Sequence, residues 1–283
     1  MASREFGFSE YCTPMWSLEE DLQHFRDAGA TCIEVSQAKL NPDRLDEQLC
    51  LLRESGLRVS TVQPAVESFF DVKLSATLGD LDANRKSLHR SVQLVGEHRI
   101  GDRINTISGV IPGKTWNEAL PAMVREYREL CHRAADYGIK IMIEPLHPVY
   151  CGLDSMFAGL DEAAQLIDAV GADNLGITFD LWHVWERPSV YDEIRKYANR
   201  IWAVHISDWK PLRCAVDRHV PGEGQIPLPK LLRAVEETGY NNGYLVEFFS
   251  DWLLPDSLWR QDMDDVLRRC KTGFERAWES RWG

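Results

Sequence analysis

Short runs of β-favouring apolar residues alternate eight times with segments of helical spacing along this chain, and few folds accommodate that pattern. The strand-like runs lie at residues 6–10, 31–36, 58–63, 103–108, 140–144, 175–180, 201–205 and 243–247. The helix-like segments lie at residues 18–28, 43–55, 83–97, 117–137, 160–170, 190–198, 228–238 and 257–278. In these segments apolar residues share one helical face, as Leu18, Leu22 and Phe25 do. The alternation predicts one (β/α)8 barrel domain over residues 1–283.

The composition fits a single large domain without a membrane span. Of the 283 residues, 44% are hydrophobic and 27% are charged. No apolar run approaches the roughly 18 residues of a transmembrane helix, and the first residues lack the basic and apolar regions of a secretory signal. The seven cysteines are scattered without a CxxC pair. We therefore expect a cytoplasmic protein with reduced thiols and no membrane partner.

Four of the strand-like runs end on a side chain that can bind a metal. Glu144, Asp180, His205 and Glu247 each follow three or four mostly apolar, β-favouring residues, and they lie 36, 25 and 42 residues apart. In a parallel barrel such positions bring side chains to the mouth at the C-terminal ends of the strands. The spacing is that of successive βα units, so we expect the four side chains to converge.

Three carboxylates and one imidazole form a hard ligand set, mainly of oxygen. Such a set is suited to a divalent ion such as Mn²⁺, Mg²⁺ or Co²⁺ and differs from the thiolate-rich ligand sets of many zinc sites. We expect one bound ion, with Mn²⁺ as the first choice and Zn²⁺ as a further alternative. Any single buried glutamate or histidine could instead belong to a satisfied ion pair. Four of them on successive strands favour the metal site.

Several motifs resemble those of the xylose isomerase-like barrels, the superfamily of sugar isomerases and epimerases that also includes endonuclease IV. The resemblance covers most of the chain. It is carried by the runs IEPLHP at 143–148, DLWH at 180–183, HISD at 205–208, VDRHVPGEGQIP at 216–227 and LVEFF at 245–249. It implies a divalent metal held by the four residues above, and proton transfer next to a carbonyl through an enediolate that the metal stabilises.

The same resemblance assigns roles to individual residues. Glu144 and Glu247 are implied as acid/base groups as well as metal ligands, and His147 is a further candidate for the proton transfer. His183 and Arg218 are implied to orient substrate hydroxyls, although each could equally be a loop ion-pair partner. His147 precedes a proline and could only brace its loop.

Tryptophans lie just after several predicted strands, where a barrel binds its substrate. Trp16 and Trp182 are two of these, and aromatic faces stack on the C–H faces of sugars. We therefore expect a small-molecule substrate, either a sugar, a keto-polyol or a glycoside. The equally plausible alternative for any one tryptophan is loop packing or a subunit interface. We expect a homo-oligomer, with a hetero-oligomer as the alternative.

Three alternatives to an isomerase or epimerase remain at this point. A lyase that dehydrates a keto-polyol or cleaves a 3-oxo-glycoside uses the same enolate chemistry. A non-catalytic binding protein should lack at least one of the four ligands, and none is missing. His183, Asp217 and His219 match a second metal site of the endonuclease members, but the net charge of −12 argues against a nucleic acid partner.

Whether the substrate carries a phosphate stays open at the level of sequence. Gly222 and Gly224 in the PGEG segment could offer backbone amides to an anion, or they could only shape the turn. The residues around the predicted metal do not separate these possibilities.

Overall fold

Eight parallel strands close into a barrel in a computed structural model that describes residues 4–73, 79–211, 213–214 and 216–283. The strands are β1 (Phe6–Ser9), β2 (Cys32–Ser36), β3 (Arg58–Gln63), β4 (Arg103–Ile107), β5 (Lys140–Glu144), β6 (Leu175–Asp180), β7 (Ile201–Ile206) and β8 (Tyr244–Val246). Each strand pairs with the next in sequence, and β8 pairs with β1 to close the ring. The prediction of a (β/α)8 barrel is confirmed.

The helices lie between the strands in sequence. They are α1 (Leu18–Asp27), α2 (Leu45–Glu54), α3 (Leu81–His98), α4 (Trp116–Ala135), α5 (Leu160–Val170), α6 (Leu181–Val184), α7 (Val190–Lys196), α8 (Leu228–Glu237) and α9 (Met263–Ser280). Short 3-10 turns occupy Glu10–Cys12, Gln37–Lys39, Pro42–Arg44, Pro148–Tyr150, Ala198–Arg200 and Leu258–Arg260. Within the part of the chain that the structure describes, no helix combines the length and the apolar character needed to cross a membrane.

The helix boundaries follow from local capping chemistry. Ser17 caps α1 by accepting a hydrogen bond from the backbone of Glu20, whose side chain in turn accepts from the Ser17 amide at 2.7 Å. Gly29 follows this helix with φ of 81°, a conformation that side chains with a Cβ rarely adopt. The last helix was predicted from residue 257 but begins at Met263, because Asp262 caps it there after a 3-10 turn.

The apolar core lies between the strands and the surrounding helices. On β1, Phe8 packs on Phe25 of α1 with ring centroids 5.0 Å apart, and Phe6 packs on Phe274 of α9 at 4.9 Å. All four rings are buried, and full burial of such a side chain stabilises the fold by roughly 1.5–3 kcal/mol relative to exposure. Other positions of the strands carry polar side chains, and these form the candidate site.

Candidate metal centre

The four predicted strand-end residues converge at one point of the barrel. Glu144 ends β5, Asp180 ends β6, His205 is next to last in β7, and Glu247 directly follows β8. One ligand atom from each lies within 4.8 Å of those of the other three, and all four side chains are buried. The register of the parallel strands produces this meeting, since Asp180 pairs with His205 across β6 and β7. The structure therefore brings together residues that lie far apart in sequence.

The imidazole of His205 is held with one nitrogen turned towards the carboxylates. Its Nε2 lies 3.1 Å from Oε2 of Glu34 in β2, so this nitrogen carries the proton and donates it to a carboxylate. Its Nδ1 lies 3.5 Å from Oε1 of Glu144 and 3.6 Å from Oε2 of Glu247, and it has no hydrogen-bond partner among the described residues. Nδ1 thus faces the point where the carboxylates meet, and its lone pair could bind a cation there once the nitrogen is deprotonated.

A chain of hydrogen bonds across the barrel orients Glu144. The amide Nδ2 of Asn105 in β4 donates to Oε2 of Glu144 at 2.6 Å, and the hydroxyl of Thr178 in β6 donates to Oδ1 of Asn105 at 2.7 Å. The other carboxylate oxygen, Oε1, is buried and has no hydrogen-bond partner in the described part of the chain. One oxygen of Glu144 is therefore fixed, and the second is left facing the centre.

Arg218 brings a positive charge to the other side of the cluster. Its Nη1 donates to Oδ2 of Asp180 at 2.8 Å and to Oε2 of Glu247 at 3.1 Å. The guanidinium carbon lies 4.9 Å from the ring centroid of Trp182 and 5.0 Å from that of Phe249, so two aromatic faces sandwich it. When ionised, the three carboxylates Glu144, Asp180 and Glu247 and the one guanidinium together carry a net charge of −2, which a divalent cation would neutralise.

The donor set fits a divalent metal ion. Buried polar atoms without partners are rare in folded proteins, and here two of them, Nδ1 of His205 and Oε1 of Glu144, lie within 3.5 Å of each other. A cation at this point would satisfy both atoms. It would be held by Glu144, Asp180, His205 and Glu247, with Glu34 fixing the orientation of the histidine as carboxylates commonly do at metal sites.

Burial and mutual charge shift the pKa values of these groups. Burial raises the pKa of Glu144 to about 7, against the opposing effect of His205. Burial would also raise the pKa of Asp180, but Arg218 and His183 outweigh it and bring the pKa below its usual value. Burial lowers the pKa of His205, yet Glu34 and the neighbouring glutamates together raise it well above its ordinary value. Protonation of one of these groups therefore changes the pKa of its neighbours.

His183 lies beside the centre as a neutral ring. The backbone amide of His147 donates to its Nδ1 at 3.0 Å, and its Nε2 lies 3.1 Å from Nη2 of Arg218, a nitrogen that can only donate. This Nε2 lies 3.5 Å from Oδ2 of Asp180 and 3.8 Å from Oε1 of Glu144. Burial lowers the pKa of His183 to about 3. A neutral imidazole thus lies against the guanidinium of Arg218, next to two of the predicted ligands.

A cavity of about 150 Å³ opens next to the four residues. Glu144, Glu247, His183 and Arg218 line it on the side of the centre. The remaining lining residues come from the loops and strand ends around the mouth: Tyr11, Gln63, Glu67, Val72, Asn105, Ile107, Leu146, Tyr150, Asp154, Val216 and Phe249. The cavity volume is below the roughly 300–1,000 Å³ typical of drug-sized ligands, so it suits a compact molecule.

Three predicted residues are not among those that line the cavity. Nε2 of His147 lies 3.2 Å from Oε2 of Glu186, and its Nδ1 accepts the amide of Val149, so this ring braces its own loop. Trp16 stacks on a helix α1 residue, His24, with ring centroids 4.3 Å apart. Trp182 is fully buried and supports the guanidinium of Arg218. A position just after a strand therefore places a residue near the mouth of the barrel but does not determine whether its side chain points into the cavity.

The residues expected at a second metal make other contacts. Asp217 lies 2.7 Å from Nε of Arg213 and 3.1 Å from Nζ of Lys210, and Nδ1 of His219 accepts the amide of Val220. The described residues contain one group of His, Cys, Asp and Glu with metal-ligand geometry, and it does not include His183, Asp217 or His219. We therefore find no support for the second site in the described ranges.

Two residues that hold the ligands escaped the sequence reasoning. Glu34 lies inside β2 and Asn105 inside β4, and both are fully buried. The only signal in the sequence is a charged or amide side chain in the middle of a buried strand. Glu67 and Asp154 on the far side of the cavity also went unnoticed, because they lie in loops.

These features define a class of protein, namely a (β/α)8 barrel that gathers three carboxylates and one imidazole at the C-terminal ends of four successive strands. More particularly, the chain belongs to the xylose isomerase-like TIM barrel family, whose model matches residues 22–270.

Known relatives bear this out. The chain is 30% identical over 243 residues to the inosose isomerase of Bacillus velezensis, a match that covers 82% of this chain and 84% of that protein. It is 28% identical over 138 residues to the inosose isomerase of Halalkalibacterium halodurans, so this match spans about half of that relative, at 48% of its length.

Solved structures share the fold. The protein SMc04130 from Sinorhizobium meliloti 1021 superposes with a TM-score of 0.82 at 24% identity, over 96% of this chain and 98% of that one. The IolI protein with a bound zinc atom superposes with a TM-score of 0.77 at 20% identity, over 95% of this chain and 96% of that one. At these identities the similarity shows the fold alone.

Proposed function

We propose that this protein is a divalent-metal-dependent isomerase or epimerase of ketoses or keto-polyols. The observation that carries the proposal is the pair of carboxylates Glu144 and Glu247, which come from β5 and from the end of β8 and both reach the same imidazole nitrogen of His205. The relatives named as inosose isomerases support the substrate class. The single-domain extent, the assembly and the cytoplasmic location stay predictions.

Proton transfer next to a carbonyl needs one group that removes the proton and one that returns it. When bound, the metal ion would polarise the carbonyl oxygen and make the neighbouring C–H more acidic. Asn105 fixes the orientation of the Glu144 carboxylate, which lines the cavity, and we assign Glu144 one half of the proton transfer. Glu247 approaches from the other side, and we assign it the partner role.

The residues beside the carboxylates orient the substrate. The neutral ring of His183 lines the cavity, and its Nε2 lies 3.1 Å from Nη2 of Arg218, so the two side chains fix each other's position. Arg218 also lines the cavity, and its aromatic sandwich between Trp182 and Phe249 restricts its motion. Both groups are buried, so they would meet the substrate in a site from which bulk water is largely excluded.

We propose Mn²⁺ as the metal, because oxygen ligands predominate in the set. The bound zinc atom in the IolI structure supports a transition-metal-type ion in this kind of barrel, and Zn²⁺, Mg²⁺ and Co²⁺ are the other candidates. The small cavity favours a single sugar or cyclitol over a glycoside with a bulky aglycone.

The test is mass-resolved product analysis in D₂O with Mn²⁺, offering ketoses, keto-inositols and 3-oxo-glycosides. We expect a product of unchanged formula that has gained deuterium at carbon. A product lighter by water or by an aglycone would show a lyase instead. Full turnover after exhaustive chelation would contradict the metal dependence.

A further inference from the structure

The wall of the cavity contains a tyrosine and a glutamate that hold each other. Tyr11 follows β1 and Glu67 follows β3, and the hydroxyl of Tyr11 donates to Oε1 of Glu67 at 2.8 Å. The Tyr11 ring packs against Phe249 with centroids 5.6 Å apart. The backbone carbonyl of Glu67 accepts from the amide of Ile107 at 2.9 Å. The loop carrying Glu67 is therefore attached to the end of β4.

A second carboxylate lines the same cavity. Asp154 is buried, and its Oδ1 accepts the backbone amide of Lys73 at 2.6 Å, which fixes the side chain in place. Both Glu67 and Asp154 line the cavity together with the metal-binding glutamates. The wall of the cavity is thus rich in hydrogen-bond acceptors beyond the predicted metal ligands.

Positive charge for an anionic substrate is scarce at this cavity. Among its described lining residues, Arg218 alone is a lysine or arginine, and Asp180 and Glu247 already take up its charge. The residues outside the described ranges include neither lysine nor arginine. A phosphate on the substrate would therefore meet carboxylates without a free cation to balance it.

The glycine-rich segment after β7 does not supply an anion site either. The amides of Gly222 and Gly224 both donate to Oδ2 of Asp208, at 2.8 and 3.0 Å, and the amide of Ile226 donates to Oδ1 at 2.9 Å. These three amides are committed to a carboxylate of the protein itself. The sequence left open whether they hold a phosphate, and their hydrogen bonds favour the turn-shaping role.

We propose that Glu67, positioned by Tyr11, accepts a hydroxyl of the substrate, and that the wall it forms with Asp154 selects uncharged polyhydroxy ketones over their phosphate esters. This inference rests on the proposed function and names its substrate class. Oε2 of Glu67 is the acceptor, because Oε1 already receives the tyrosine hydroxyl. A hydroxyl donor matches a carboxylate oxygen, whereas a phosphate dianion is repelled by it.

The test compares kcat/KM for matched neutral and phosphorylated ketoses, D-fructose with D-fructose 6-phosphate and D-xylulose with D-xylulose 5-phosphate. Exchange of the substrate C–H proton in D₂O is followed with Mn²⁺-loaded enzyme at about pH 8, above the ordinary pKa of a carboxylic acid and on the side that favours the ionised form of Glu67, whose pKa burial raises. We expect the wild type to prefer the neutral ketose by about tenfold or more, because like charges oppose each other in a partly desolvated site. Equal or better use of the phosphate esters would overturn the inference.

Glu67→Gln isolates the charge while keeping the size of the side chain. We expect about a tenfold rise in KM for the neutral ketose with kcat little changed, since a charge-assisted hydrogen bond is about twice as strong as a neutral one. The preference for the neutral ketose should fall by a similar factor. A drop in kcat alone, with the preference intact, would contradict a role in substrate selection. Tyr11→Phe should shift KM in the same direction by less.

Asp251→Asn provides the matched control. Asp251 lies in the loop after β8, outside the cavity lining, and asparagine can keep the acceptor for the amide of Leu253. Asp251→Asn removes one negative charge, as Glu67→Gln does, but should leave the preference for neutral ketoses unchanged. An equal change of that preference in both variants would mean that only the net charge of the protein matters, and it would overturn the inference. Absence of exchange into every ketose and keto-inositol offered would refute the proposed function, whereas exchange without the preference for neutral substrates would refute this inference alone, so the two failures are distinguishable.

Discussion

Replacing Glu34 with glutamine removes the carboxylate that orients His205 without touching a metal ligand. Oε2 of Glu34 accepts from Nε2 of His205 at 3.1 Å and from the hydroxyl of Thr61, while Oε1 accepts from the amide of Gln63 at 3.1 Å. A glutamine oxygen can still accept from His205, so the change mainly removes a negative charge. The imidazole then becomes a poorer donor of its Nδ1 electron pair.

The expected loss in Mn²⁺ affinity is about 10- to 100-fold, as is typical when a residue that orients a metal-binding histidine is replaced. This corresponds to about 1.4–2.7 kcal/mol, since each tenfold change in affinity is about 1.4 kcal/mol. The effect should lie in the upper part of the range because both Glu34 and His205 are fully buried, where water cannot replace the lost charge. Competition with a fluorescent chelator measures the affinity directly.

The matched control is Glu126→Gln, the same change at another buried glutamate. Glu126 lies in α4 and accepts from Arg85 and Arg125, remote from the four metal-binding residues in its contacts. It should leave the Mn²⁺ affinity within about twofold of the wild type while lowering stability, since hydrogen bonds to charged groups contribute about 1.5–3 kcal/mol. An unchanged Mn²⁺ affinity in Glu34→Gln, with the fold intact by circular dichroism, would refute the reasoning.

Three further outcomes are expected. Glu247→Gln should reduce proton exchange into substrate by about 10²–10⁴-fold with little change in melting temperature, and activity near that of the wild type would exclude its acid/base role. Asn105→Leu should lower kcat by about 10- to 100-fold because it leaves a buried oxygen of Glu144 without its donor; a change in KM alone would contradict this. Burial raises the pKa of Glu126, but the arginines that bind its side chain outweigh this effect and bring the pKa below its ordinary value. The ion pairs of Glu126 therefore stabilise the fold fully above the unfolded-state pKa of about 4.3, and this stabilisation is lost as the pH falls through the lower pKa of the folded state. Urea unfolding should therefore show the deficit of Glu126→Gln at pH 7 shrinking towards pH 3, and a deficit independent of pH would contradict the linkage.

The barrel and its metal-binding residues were predictable because buried parallel strands leave a distinct mark. A run such as IMIE or ITFD consists of β-favouring, mostly apolar residues until its last position, so Glu144 and Asp180 stand out in sequence. The closure of the sheet then follows from eight repeated units. The positions of the strand ends in the fold could thus be inferred without any knowledge of tertiary contacts.

The residues that support the ligands could not be inferred in this way. Glu34 reaches His205 across the interior of the barrel, although 171 residues separate them in sequence, and no local pattern encodes that contact. Helix α6 was missed because Asp180 ends β6 and at once caps the helix by accepting the amide of Trp182 at 2.8 Å. A helix of four residues is too short to show a helical period.

The measurement that tests the central claim most directly is anomalous diffraction from crystals grown with Mn²⁺. We predict one strong peak at about 2.0–2.3 Å from carboxylate oxygens of Glu144, Asp180 and Glu247 and from Nδ1, not Nε2, of His205. The choice of nitrogen is decisive, because Nε2 is already engaged by Glu34. A peak elsewhere in the barrel, or no peak at saturating Mn²⁺, would contradict the assignment of these four residues as a metal centre.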